Sequence, residues 1–150
     1  MTERVKRGNA RSAARLAAVQ ALYQLEMEKP ELAILLDEFH LHRLGAEIED
    51  VEYLKADTAF FDDVVRGVAA RRDEIDELLA QKLAKGWSLT RLDRTMLQIL
   101  RAGTYELVAR QDVTVSTVIN EYLDVAHAFF DAPEAKFVNG LLDAVARSVR

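Results

Sequence analysis

Cysteine is absent from the 150 residues, which removes disulfides, thiolate metal sites and thiol catalysis together. Proline occurs only twice, and both Pro30 and Pro133 stand where a helix would begin or end. No apolar run approaches the roughly 18 residues that cross a bilayer. The basic N-terminus lacks the apolar segment of a signal peptide, so a soluble protein of a reducing cytoplasm is expected. Also missing are a phosphate-cradling glycine loop, a GxSxG elbow and an HExxH helix. His40 and His42 are two apart and face different sides of a helix, while His127 stands alone between alanines. No metal site, cofactor or catalytic residue is expected from this set.

What is present is half hydrophobic and 30 % charged, which argues for one folded domain over residues 1–150, with a basic arm at about 1–10. Charge is distributed unevenly. Arg4, Lys6, Arg7, Arg11 and Arg15 face only Glu3 in the first fifteen residues, a local +4 in a chain of net −5. The remainder carries −9. Arg7, Arg11 and Arg15 recur every four residues, a spacing that makes one stripe on a helix. Such stripes hold phosphates, and much of the affinity for nucleic acid arises there. The alternative is a solvated arm with no ligand.

Helical periodicity runs through the chain. Asn9 or Ser12 stands where a first helix would be capped, with Pro30 ending it near Lys29 and Leu16, Val19, Tyr23 and Met27 on its apolar face. Leu32, Leu35, Leu36 and Phe39 pattern a second helix. Residues 42–57 read as a loop. From Asp57 or Thr58 the pattern Phe61, Val64, Val65, Val68 continues to Leu83, as one helix or as two with a kink at Gly67. Three more runs follow around Leu100, Val118 and Leu141. Strand-like alternations are short, and the best of them, at Asp112–Thr117, is flanked by helices. This is an all-α protein of about seven helices.

Two pairs, Asn120-Glu121 and Asn139-Gly140, interrupt apolar runs. They suggest an amide satisfying loop backbone or two helices in close approach. Lys136-Phe137, just after Asp131-Ala132-Pro133, offers a phosphate contact beside a base-stacking face, although the spacing to Leu141 and Val145 also suits a core role for Phe137.

These residues together resemble the NusB family of bacterial transcription antitermination factors, from Arg11 to about Ala146. The resemblance rests on Arg15 with Ala18-Val19-Gln20-Ala21-Leu22-Tyr23, on Ile99-Leu100-Arg101 with Tyr105-Glu106-Leu107, and on Val118-Ile119-Asn120-Glu121. The most specific block is Lys136-Phe137-Val138-Asn139-Gly140-Leu141-Leu142-Asp143. It implies a seven-helix fold in two packed bundles and no enzymatic activity. It also implies binding of boxA, a single-stranded element of ribosomal RNA transcripts, together with NusE, a small-subunit ribosomal protein, in an antitermination complex on RNA polymerase. Arg7, Arg11 and Arg15, with Lys136 and Phe137, would then meet RNA, and Tyr23 would meet NusE. A homodimer is compatible with the family. Ser12, Ala13 and Ala14 dilute the arginines that relatives often have in sequence. The competing reading is a helical protein-interaction module of the same fold without RNA binding. Charge alone would draw a basic partner to residues 37–63, which hold nine acidic and two basic side chains.

Overall fold

A computed structural model describes residues 2–42, 44 and 57–150, with side chains from Ala10 onward. Among these residues there are six α-helices: α1 (Thr2–Glu28), α2 (Leu32–His42), α3 (Thr58–Lys82), α4 (Arg94–Ala109), α5 (Val115–Phe129) and α6 (Ala132–Val149). A 3-10 turn, Leu89–Arg91, precedes α4. Most of the segment read as a loop, residues 43 and 45–56, lies outside the description, and with it Glu47, Glu49, Asp50 and Glu52. The chain divides into two compact units, 1–66 and 67–150. The Asp112–Thr117 alternation is no strand: it holds the turn into α5, whose cap is Thr114, with Oγ1 accepting the Thr117 amide at 3.1 Å.

In the first unit α1 starts at Thr2, ahead of the expected caps. Its inward face is only in part the one the large residues marked: Val19 is buried and Leu16 intermediate. Ala10, Ala14, Ala17, Ala18, Val19, Ala21 and Leu22 are buried, whereas Tyr23 and Met27 are exposed. Alanine explains the difference, because short side chains let neighbouring backbones come close while contributing little to a hydrophobic pattern. The helix stops at Lys29, whose φ of 54° puts it in the left-handed region while its amide still bonds to the Leu25 carbonyl. Opposite α1, Leu35, Leu36 and Phe39 of α2 are sealed, and Phe39 stacks on Phe61 of α3 with ring centroids 5.5 Å apart.

The second unit packs α4, α5 and α6 on one another. Asp93 caps α4, its Oδ1 accepting the amides of Thr95 and Met96 at 2.7 and 3.1 Å. Every residue from Met96 to Leu107 is buried. The polar ones among them are paired, except for the Thr104 hydroxyl, which has no hydrogen-bond partner among the described residues. Arg101 donates two 2.8 Å hydrogen bonds to the Asp76 carboxylate on α3, and Tyr122 of α5 donates its hydroxyl to Glu106. Arg150 donates to the carbonyls of Leu107, Arg110 and Val113, holding the end of α6 to the turn after α4.

The question of one helix or two over 58–84 resolves at Arg71, where φ −113° and ψ 21° break helical geometry between two helical stretches. The bend is not at Gly67. Glycine is needed there for another reason: a Cβ would stand 2.2 Å from ring carbons of the buried Tyr105. Asn120, Asn139 and Gly140 also depart from expectation. All three are exposed, and a Cβ on Gly140 would meet nothing within 4 Å. Neither amide is buried, and close helix approach does not account for Gly140.

Gly67→Ala should therefore destabilise the protein despite improving helix propensity. Overpacking costs about 1–3 kcal/mol, against roughly 1 kcal/mol gained from replacing glycine in a helix. Urea unfolding should show a lower midpoint for the variant; a higher midpoint would mean that Tyr105 moves aside at little cost.

Candidate nucleic-acid interface

Arg11 and Arg15 lie one turn apart on α1, and both guanidinium groups cover the ring of Phe60, at 4.7 and 4.8 Å from its centroid. Phe60 is itself buried in the first turn of α3. Two cations on one ring gain from its quadrupole, and more so away from water. Arg11 also lies 3.7 Å from Asp57 and keeps its side chain about one-third exposed. Arg15 is different. At 2 % exposure it is a buried residue, so the open stripe of Arg7, Arg11 and Arg15 is not what the fold presents. Counting charge assigns an arginine to solvent by default, whereas Ala14 and Ala18 beside it draw this face inward. Arg7 falls on the same row of α1, with its side chain outside the described residues.

Tyr23 is 40 % exposed and Met27, one turn on, is 53 % exposed. They were expected on the inward face of α1, yet Tyr23 stands where another protein could reach it. Ile34 and Leu41 of α2 are likewise exposed.

In the second unit Lys136 is exposed on the first turns of α6 and Phe137 is half-buried, less enclosed than its neighbours Val138 and Leu141. Lys136, Asn139 and Gly140 share one exposed face by helical spacing. Phe137 lines a cleft of about 460 Å³ together with Trp87, Arg91, Leu92, Met96 and Glu134. Trp87 is 56 % exposed, and the Arg91 guanidinium lies 5.9 Å from its ring centroid. Neither residue stood out in the sequence, although a signal was there: the chain's single tryptophan sits between Gly86 and Ser88, in a segment with Lys82, Lys85, Arg91 and Arg94.

Among the described residues no group of three histidine or carboxylate side chains is placed to hold a metal ion. His40 is engaged with Asp62 at 2.6 Å. No described helix is long and apolar enough to cross a membrane.

Comparison with known proteins gives this geometry its context. The model of the NusB family matches residues 12–147. The chain belongs to the NusB family. It is 78 % identical over 143 residues to the transcription antitermination protein NusB of Novosphingobium aromaticivorans, covering 95 % of this chain and 97 % of that one. Its fold is similar to that of T. maritima NusB, with a TM-score of 0.76 at 32 % identity, covering 91 % of this chain and 90 % of the other. A chain in the "Crystal Structure of a Plectonemic RNA Supercoil" superposes with a TM-score of 0.78 at 26 % identity, covering 93 % and 95 %. NusB-family proteins are non-catalytic RNA-binding regulators, and membership supports a general role in transcription antitermination.

The two arginines should separate in experiment. Arg15→Ala should cost about 1–2 kcal/mol of stability through the lost contact with Phe60 and the void left beside it. Arg11→Ala, partly exposed, should cost less than about 1 kcal/mol. Equal midpoints for the two variants in urea unfolding would show that Arg15 has no structural role beyond that of Arg11.

Proposed function

We propose that this NusB-family protein binds the boxA element of ribosomal RNA transcripts together with NusE and joins the antitermination complex on RNA polymerase, in the cytoplasm. The observation that carries the reading is the exposed Lys136 beside the half-buried, cleft-lining Phe137, within the sequence block that most resembles the family. Lys136 would neutralise a phosphate while the Phe137 ring receives a base. Arg11, partly exposed on α1, and Arg7, one turn before it, would hold further phosphates. Arg15 would act from beneath, holding the Phe60 ring against which Arg11 is placed.

Tyr23 with Met27 is the surface proposed for NusE. An aromatic anchor that becomes buried contributes more to affinity than charges at a rim, which mainly set the rate of encounter. The acidic excess of residues 37–63 would attract a basic ribosomal protein before Tyr23 locks it. A specific observation also favours the protein-interaction reading without RNA: Arg15 is buried and Arg11 is partly engaged by Asp57, which thins the positive face. Gel-shift titration with boxA RNA, with and without NusE, separates the two readings.

RNA should bind weakly alone and markedly better with NusE. With about three phosphates neutralised, log K should fall against log salt with a slope near −2; a slope of zero would remove the electrostatic account. Lys136→Ala should flatten the slope by about 0.7 without changing RNA preference. Tyr23→Ala should raise the dissociation rate of NusE about tenfold or more, an effect of the size expected for a central aromatic anchor, as read by surface plasmon resonance. An unchanged dissociation rate would move the interface elsewhere.

A further inference from the structure

The geometry points to the cleft between the Trp87 turn and the start of α6 as a nucleobase pocket that prefers a base bearing an exocyclic amine (adenine, cytosine or guanine) over uracil. This rests on the RNA-binding reading above and adds to it a second aromatic wall and a selecting group. The volume of about 460 Å³ lies within the range of small-ligand clefts. Trp87 and Phe137 supply π-faces, and Leu92 and Met96 supply an apolar floor. Trp87 is more than half exposed, although a side chain of that size is usually covered when it serves only packing.

The selecting group is Glu134. It lines the cleft and is only part-buried, while its Oε1 is turned away from solvent with no hydrogen-bond partner among the described residues, so a rotation of the side chain toward the cleft exchanges an unpaired position for a paired one. A carboxylate oxygen removed from water and left unpaired is costly, and the cost falls when a donor arrives. An exocyclic amine is such a donor. Uracil presents instead one N–H flanked by two carbonyl oxygens, which a carboxylate repels.

A nucleic-acid strand suits the surroundings better than a basic peptide does. Residues 82–94 hold four basic side chains, Lys82, Lys85, Arg91 and Arg94, against Asp93 alone, a local +3 in a chain of net −5. Arg94 is spent on the carbonyls of Leu89 and Leu92. Arg91 is exposed beside Trp87, with one hydrogen bond to the Gly86 carbonyl at 3.2 Å, and its other donors can meet a phosphate of the same nucleotide.

Trp87 is the only tryptophan, so its fluorescence reports on this cleft directly. The test titrates the full-length protein with short oligo-cytidine, oligo-adenosine and oligo-uridine RNA, and separately with boxA RNA. Oligo-cytidine and oligo-adenosine should quench Trp87 emission with about tenfold higher affinity than oligo-uridine, a discrimination of the order of one good base contact. Glu134→Ala should bring both down to the oligo-uridine level. Trp87→Ala, on an exposed turn, should weaken all three about tenfold by gel shift, with circular dichroism confirming an unchanged fold. Quenching with equal affinity for the three oligomers would overturn the selection. If boxA RNA binds in the gel shift but leaves Trp87 emission unchanged, the pocket is not on the RNA path and only this inference fails. If boxA RNA does not bind with or without NusE, the functional reading itself fails and takes the pocket with it. Quenching by an oligo-arginine peptide and by none of the RNAs would make the cleft a protein-docking site.

Discussion

The burial of all but the ends of α4 is the constraint on which the second unit depends. Twelve consecutive residues, Met96 to Leu107, are buried, so the charged groups among them need partners inside the protein, and only the Thr104 hydroxyl is left without one among the described residues. Arg101 finds Asp76 on α3, and Glu106 finds the Tyr122 hydroxyl on α5. These pairs join α4 to different neighbours, and the loss of one partner would leave the other charged or polar group buried and unpaired. The pairs consequently act as register marks: a slip of α4 by one turn keeps much of the apolar contact but breaks both. Close approach adds a further mark where the Tyr105 ring lies on the bare backbone of Gly67.

The candidate RNA site is built on the ends of helices that α4 holds. Val138, Leu142 and Val145 tie α6 into the core, and helical spacing then leaves Lys136, Asn139 and Gly140 facing outward. Leu92 and Met96, at the start of α4, form the base of the cleft. The Asp93 cap fixes where α4 begins and so where the preceding turn with Trp87 comes to rest. Functional groups carried on short ends of rigid helices can be exposed and still be well placed.

In the first unit the arrangement turns on alanine. A row of small side chains lets α1 be covered closely, and the same face carries Arg15 inward with it. The buried guanidinium lies on the Phe60 ring, whose face offsets part of the cost of removing it from water. A basic cluster that looks like a ligand site is thereby partly a packing device, and the positive surface left exposed is narrower than the charge count implies. The exposed Tyr23 and Met27 follow from the same cause, since the face occupied by alanine is no longer available to larger residues.

Periodicity and punctuation in the sequence determined the all-α class, the inward face of α2 and most of those of α5 and α6 (Phe129, expected inward on α5, is exposed), and the helix boundaries near Pro30 and Thr114, because each is set by residues within one or two turns of one another. Four ordered sequence blocks were enough to indicate the NusB family. Lys136 and Phe137 were legible as a pair for the same local reason. Facing elements decided the rest. Whether Arg15 meets water or Phe60, whether Gly67 is a hinge or a contact, and whether Trp87 and Glu134 share a cleft all depend on residues far away in the chain. Helical spacing says which side chains share a face. It does not say which face another helix covers when both are small and mixed in polarity, and at α1 that choice was made by packing.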